Sequence, residues 1–327
     1  MRGRLLPVTF ATVAAVGLLA APAPARACDS VSCALVTRGP GGLLPKGALR
    51  VDLSFRQTDQ TEPYAGGEPA DSVLRPKVDF EHGFILSGYH REVGGTERYL
   101  QADVSYGLTS RASVLVGIPL LIRRSYDISH GGSFLQPTDT QGFGDMLVGI
   151  QYGLLGGPAH QLSARAALKL PTGEFRLING FDHTINDPTL QPGTGSFDVA
   201  TGADFTRFNT LGMDWTASAS YQINTTNELE YRFGDDAIGS LTASRGIVGR
   251  LGGSLQVKVW HKGRSTFLDR PVPSTGATLV YVTPGLRFAA PARISAYAFL
   301  QVPVYRYVNE AQLTPRLAFF IGWAKTF

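Results

Sequence analysis

Few residues in this chain have the types and spacing that covalent chemistry needs. The only cysteines, Cys28 and Cys33, stand close together in CDSVSCALVTRGPGGLLPKG. In an exported chain two such thiols suggest a local disulfide, with metal binding or redox exchange as the sharper alternative. Two thiolates cannot complete a four-ligand zinc site, and no histidine lies in the segment. Lipidation of Cys28 is a third option, although Ala25-Arg26-Ala27 before it fits ordinary cleavage better than a lipobox. The histidines, His82, His90, His130, His160, His183 and His261, are scattered, with no H-x-x-x-H pair beside a carboxylate. Ser129-His130 and Asp182-His183 could each start a nucleophile–base arrangement, yet both sit in polar loop composition. Asp182, Asn186 and Asp187 in INGFDHTINDPTLQPGT offer oxygen ligands for calcium, without the spacing of a known calcium loop. The expectation is a chain with no catalytic residue, no metal and no cofactor.

That leaves non-covalent chemistry, carried by charged side chains on one face of many short segments. Arg50, Asp52, Arg165, Lys169, Asp204, Asp214 and Lys258 are the candidates. Acting together they would hold water and guide a small solute, and the elements that position them must turn them all one way.

The chain begins as an export signal. MRGRLLPVTFATVAAVGLLAAPAPARAC has arginines, an apolar stretch and an A-x-A site, which predicts a cleaved Sec signal over residues 1–27. Pro7, Pro22 and Pro24 shorten the apolar run and argue against a membrane anchor. The formal charge of +4 comes from 30 basic and 26 acidic residues. Removing three arginines with the signal leaves 27 − 26 = +1, so nucleic acid is not an expected partner. Beyond it no run of about 18 apolar residues remains for a membrane helix.

From residue 48 onward apolar residues recur at every second position, the period of a strand with one apolar and one polar face. Met213, Trp215, Ala217, Ala219, Tyr221 and Ile223 face one way, and Asp214, Thr216, Ser218, Ser220 and Gln222 the other. In SVLVGIPLLI the apolar side is Val114, Val116, Ile118, Leu120 and Ile122. About twelve such segments are predicted, near 48–57, 97–107, 112–124, 144–155, 161–171, 196–206, 212–223, 236–245, 251–260, 276–288, 293–305 and 315–327. The connections LTSRA, GGPAH, FNTLG, SRGIVG and AAPAR are short. The stretches 58–96, 125–143, 171–195, 224–235, 261–275 and 306–314 are mostly long and polar. This asymmetry predicts an all-β fold, a transmembrane antiparallel up-and-down β-barrel of about 12 strands with both termini at the short-turn, periplasmic end. A soluble sandwich would also alternate, but would give no reason for the loop asymmetry. Residues 28–47 would form a periplasmic N-terminal segment or plug, and residues 48–327 the barrel.

The barrel also explains the ending AFFIGWAKTF. Leu317, Phe319, Ile321, Trp323 and Phe327 share a face, so the last strand would close the ring against the first. Trp323 and Phe327 would sit in the periplasmic aromatic girdle and resemble the C-terminal signal read by the barrel-assembly machinery, with Lys325 where an apolar residue is usual.

QGFGDMLVGIQYGLL, LKLPTGEF, PGTGSFDVATGADF, NELEYRFGD, STGATLVYVTPGLRF and VPVYRYVN follow one another over residues 140–327. This order resembles the outer-membrane barrel family named after the meta-cleavage pathway of phenol degradation. The resemblance implies a barrel and passage across the membrane, not phenol itself. The motif glycines, Gly142, Gly144, Gly173, Gly193 and Gly195, are expected to be architectural.

The expected function is an outer-membrane channel or transporter for small solutes, with hydrophobic or aromatic compounds as candidates and outer-membrane lipid around it. Phe80, Phe84, Tyr89 and Phe134 in the long loops could form an apolar entry or pack those loops together. One rival is a structural or partner-binding barrel, such as a sheath for a periplasmic redox protein. The second rival is an outer-membrane barrel enzyme.

Overall fold

The computed structural model describes residues 43–129, 136–180 and 182–327. The signal peptide, Cys28, Cys33, His130 and Phe134 lie outside the described residues. Alternating sequence becomes a meander of long antiparallel strands: β1 (Leu49–Gly66), β2 (Phe84–Gly107), β3 (Ala112–Ser129), β4 (Met146–Gly156), β5 (His160–Leu170), β6 (Asp198–Thr210), β7 (Met213–Ile223), β8 (Asp236–Val248), β9 (Leu251–Lys262) and β10 (Ala277–Ala290). A last extended element, Ile294–Thr326, pairs with both β10 and β1, and β1 also pairs with β2, so the sheet closes on itself.

That last element is two strands. It has 33 residues, which fully extended would reach about 110 Å, several times the membrane core. Its first half pairs with β10 (Ile294 opposite Ala290) and its second half with β1 (Thr326 opposite Arg50). The halves fold back on each other: Thr326 N donates to Arg293 O at 3.1 Å, and the Arg306 guanidinium to Pro315 O at 3.0 Å. Glu310, at φ 49°, makes the turn. We call the halves β11 (294–308) and β12 (311–326). Every pairing in the ring is antiparallel, so directions alternate and the strand number must be even: twelve among the described residues.

The short turns, residue 43 and Phe327 all lie at one end. Phe327 N donates to Leu49 O at 2.8 Å, so the terminus is paired rather than frayed. Trp323 and Phe327 point outward, and Lys325 Nζ sits 4.6 Å from the Phe327 ring centroid, its stem lying along the girdle and its charge toward water.

The two faces separate as a bilayer requires. Val148, Ile150, Tyr152 and Leu154 of β4 and Leu255, Val257 and Val259 of β9 are exposed, while Gln151, Gln256 and Lys258 between them are buried. Apolar groups thus meet lipid, polar groups meet one another inside, and closure leaves no open edge in the ring.

Two departures from the expected pattern have local causes. Opposite β2, Leu100 pairs with Leu121 but Gln101 pairs with Pro119, so Leu120 is an extra residue. That bulge turns Ile122 inward to 6% exposure, where strict alternation had placed it on the lipid face. The stretches 58–96, 125–143 and 306–314, expected as loops, are largely strand: β1, β2 and β3 run on past the membrane. The short strands Val73–Asp79 and Gln136–Gly142 pair with β2 and β3, and 306–314 is the β11–β12 hairpin. Above the membrane both faces are polar, so the alternation that marks a strand in sequence loses its contrast while the backbone pairing continues.

Candidate functional site

The barrel interior is a packed polar column. Near the periplasmic end Arg50 and Asp52 of β1 approach at 3.7 Å, and Tyr297 Oη of β11 donates to Asp52 at 2.7 Å. On the β2–β5 wall Gln101 donates to Asp103 at 2.8 Å and Gln151 to the Ser163 hydroxyl at 2.9 Å. Arg165 of β5 pairs with Asp204 of β6 at 3.1 Å. Lys258 of β9 lies with its Nζ 4.8 Å from the Tyr281 ring centroid. Asp214 does not join these groups. It begins β7, where its carboxylate accepts from Asn209 N at 2.9 Å and ties the β6–β7 turn.

Lys169 leads to a second feature, built by the three glycine motifs. Its Nζ pairs with Asp198 and, at 3.2 Å, with Asp145 of the GFGD motif. Asp145 also accepts from Gly173 N of LPTG at 3.0 Å, and from the Thr194 amide and hydroxyl of PGTGS at 2.8 Å each. The Thr172 hydroxyl returns the tie, donating to Gly144 O at 3.0 Å. The backbones meet so closely that a Cβ on Gly173 would stand 2.8 Å from Gly193 Cα and from the Gly144 carbonyl carbon. Three motifs distant in sequence are therefore one knot, with the buried Asp145 carboxylate at its centre and Asp198 beside it on Lys169.

The knot fixes the base of the loop 171–197, which folds into the outer mouth. Leu190 on its returning arm is buried with Val73, Tyr126, Ile128 and Leu313. Arg124 of β3 donates to Gln191 O, and His90 lies 3.8 Å from Asp187. Burial pushes the Asp187 carboxyl above its ordinary value, against the pull of His90 and Arg75. Burial would likewise raise Asp182, but hydrogen bonds from Lys77 and Thr184 outweigh it and hold that carboxyl below its ordinary value. Both carboxylates of the supposed calcium loop thus serve as tethers to other parts of the chain. A second apolar cluster, Val78, Tyr231, Phe267 and Val272 with Phe80 against it, joins three further loop segments. Phe80 packs edge-on to Phe267, with ring centroids 5.4 Å apart, whereas Phe84 and Tyr89 remain exposed.

Beneath this cover lies a cavity of about 460 Å³. Of the seven charged residues singled out in sequence, only Lys258 lines it. Its other charged groups are Arg56, Asp236 and Lys262, together with Arg75, Glu92, Glu97 and Arg124 from the extended ends of β2 and β3 and the strand beside them. Sequence reading missed Arg75 and Glu92 because 58–96 was expected as a loop, and Glu97 and Arg124 because they stand at the outer ends of the segments 97–107 and 112–124, where the contrast between faces fades. The alternation of Glu97, Tyr99 and Gln101, and of Arg124, Tyr126 and Ile128, was the available signal.

At the periplasmic end residues 43–48 cross the opening. Leu44 N donates to the Ser113 hydroxyl at 3.3 Å and Gly47 N to Gly107 O at 2.8 Å. A Cβ on Gly153, on the inner face of β4, would stand 2.4 Å from Leu43 Cδ1. The segment thus leans on the inner wall of β3 and β4.

A closed ring of antiparallel strands, apolar outside and polar inside, with short turns at one end and long loops at the other, defines a transmembrane β-barrel of the outer-membrane type. The family model described as "Putative MetA-pathway of phenol degradation" matches residues 90–312, and the chain belongs to that family. Among solved structures the chain is similar to an outer membrane channel from Pseudomonas putida F1, with a TM-score of 0.58 and 14% identity over 88% of this chain and 99% of that one. Looser likenesses are the toluene transporter TodX of Pseudomonas putida (TM-score 0.43, 10% identity, 92% and 95% covered) and the toluene transporter TbuX of Ralstonia pickettii (0.42, 8%, 87% and 90%). No curated protein sequence matches the chain.

Proposed function

We propose that the protein is an outer-membrane channel that passes a small solute through its lumen without covalent chemistry. The observation that carries this reading is the cavity of about 460 Å³ held inside a lipid-facing barrel and covered at its outer end by inward-folded loops. A volume of this size suits one small organic molecule, and twelve strands leave no room for the wide bore of a general porin. The likeness to the Pseudomonas putida channel supports the same class. Tyr99, Tyr126, Phe233, Trp260 and Tyr281 on the cavity wall favour a solute with an apolar or aromatic body. In this reading Arg50, Asp52, Arg165, Lys169, Asp204 and Lys258 shape the lumen, while Asp214 secures a turn. The chain is exported by its Sec signal and inserted by the barrel-assembly machinery, which reads Trp323 and Phe327. It sits in outer-membrane lipid and has no use for nucleic acid.

Residues 28–47 act as the periplasmic plug, a reading supported by the contacts of Leu44 with Ser113 and of Leu43 with the Gly153 position. The test is single-channel recording in a planar bilayer, with the mature chain and with residues 28–47 removed. Small or rare steps in the mature chain and frequent, larger steps after truncation are expected. Silence in both forms, from protein shown by circular dichroism to be folded β-structure, refutes the channel.

A further inference from the structure

The cavity is not electrically neutral. Three carboxylates line it, and each has a cation: Arg75 lies 3.5 Å from Glu92, Arg124 lies 3.4 Å from Glu97, and Lys262 lies 3.0 Å from Asp236. Two more positive side chains, Arg56 and Lys258, line the same wall, so the lining carries a net charge of 5 − 3 = +2.

Arg56 is the informative one. Its neighbours across β1 are Tyr99 on one side and Phe320 on the other, and all three side chains share the inner face. The guanidinium lies 3.9 Å from the Tyr99 ring centroid and 5.9 Å from that of Phe320. Its Nε is buried without a hydrogen-bond partner, and among the described residues no carboxylate lies within 4.0 Å of it. Glu97, two residues from Tyr99 on β2 and on the same cavity wall, is already engaged: Tyr126 Oη donates to it at 3.2 Å and Arg124 pairs with it. Stacking holds the guanidinium plane and leaves its N–H edge for another acceptor. A half-buried cation in a narrow lumen gains from a counter-charge, and the open N–H edge of Arg56 is placed to receive one from a solute.

We infer that the cavity binds a small organic monocarboxylate with a flat, apolar ring, its carboxylate on the edge of Arg56 and its ring among Tyr99, Tyr281 and Trp260. This deepens the channel reading and rests on it. A guanidinium edge matches a carboxylate with two parallel hydrogen bonds. One such edge suits one negative charge, and the aromatic wall suits a ring.

The test uses the folded mature protein in detergent, with benzoate and its neutral counterpart benzyl alcohol as probes. Of the three tryptophans, only Trp260 lines the cavity, so its fluorescence reports occupancy. Benzoate is expected to bind at least tenfold more tightly than benzyl alcohol. Arg56→Met, which keeps most of the side-chain volume, is expected to erase that preference, and Arg56→Lys to keep part of it. The wild-type comparison needs no variant, so a misfolded mutant cannot hide the answer. Equal affinity for the two probes in a protein that conducts in the bilayer overturns the carboxylate site and leaves the channel standing. A benzoate preference that survives Arg56→Met overturns the role of Arg56.

Discussion

Asp145→Asn tests whether one buried carboxylate holds the three motifs together. Asp145 is nearly fully buried and satisfies Gly173 N at 3.0 Å, the Thr194 amide and hydroxyl at 2.8 Å each, and Lys169 at 3.2 Å. Asparagine has the same shape but only one acceptor oxygen. If that oxygen keeps Thr194, the new amide faces the Gly173 N–H, donor against donor, and Lys169, which meets the same oxygen as Thr194, faces a neutral acceptor in place of a charged one. Lys169 itself is not stranded, because it keeps Asp198. One hydrogen bond to a charged acceptor and one buried unpaired donor together come to about 3 kcal/mol. The assay is urea unfolding of the barrel in lipid vesicles, followed by tryptophan fluorescence. Asp139→Asn is the control: Asp139 is 48% exposed and pairs with Arg123 at 2.9 Å at the rim, so its loss should cost less than about 1 kcal/mol. If Asp145→Asn costs no more than Asp139→Asn, the knot is held by strand pairing alone and its carboxylate is incidental.

Gly173→Ala attacks the same knot through space rather than charge. The added Cβ would meet backbone atoms at 2.8–2.9 Å, which cannot give way as a side-chain tip would. About 1–3 kcal/mol of destabilisation is expected in the same unfolding assay, while Gly180→Ala, with nothing within 4 Å, should be silent. Acid should loosen the loop 171–197. Asp182 is held below its ordinary value, so its tether to Lys77 stabilises the fold above the unfolded-state pKa and is lost as pH falls through the lower folded one. Asp187 is raised and has the opposite sign, since its protonation on acidification favours the buried state. A spin label at Gly180 should stay fixed down to about pH 4 and gain mobility only below it, and Asp182→Asn should be mobile already at neutral pH. A label that stays equally fixed in both would show that Lys77–Asp182 is not the tether.

Where sequence was legible, the reason is solvent contrast. Each of the twelve predicted segments overlaps a strand because lipid on one face and polar groups on the other force a period of two. The reading failed where that contrast ends. QTDQTEPYAG continues β1 with polar residues on both faces, so nothing in its composition marks it as strand, yet Tyr64 and Ala65 still pair with β12. Ile122 was assigned to lipid because a bulge of one residue leaves no mark in the hydrophobic pattern. The cavity was least legible of all. Its wall joins Arg56 to Tyr99 and Tyr281, residues brought together by the order of strands in the ring and not by any spacing along the chain.

A narrow barrel makes such a wall interpretable. With twelve strands, inward side chains reach across much of the lumen, so a charge there meets protein rather than bulk water. Most of the column obeys the consequence: Asp52 has Tyr297 and Arg50, Asp204 has Arg165, and Asp198 and Asp145 share Lys169. These pairs keep the lumen filled and its strands in register, and they offer little to a passing solute because their charges are already spent on each other. A cation held against two rings inside a cavity, with the nearby carboxylates taken, breaks that rule in one place. In a column built from matched charges, the unmatched one marks where a solute, and not the fold, must supply the partner.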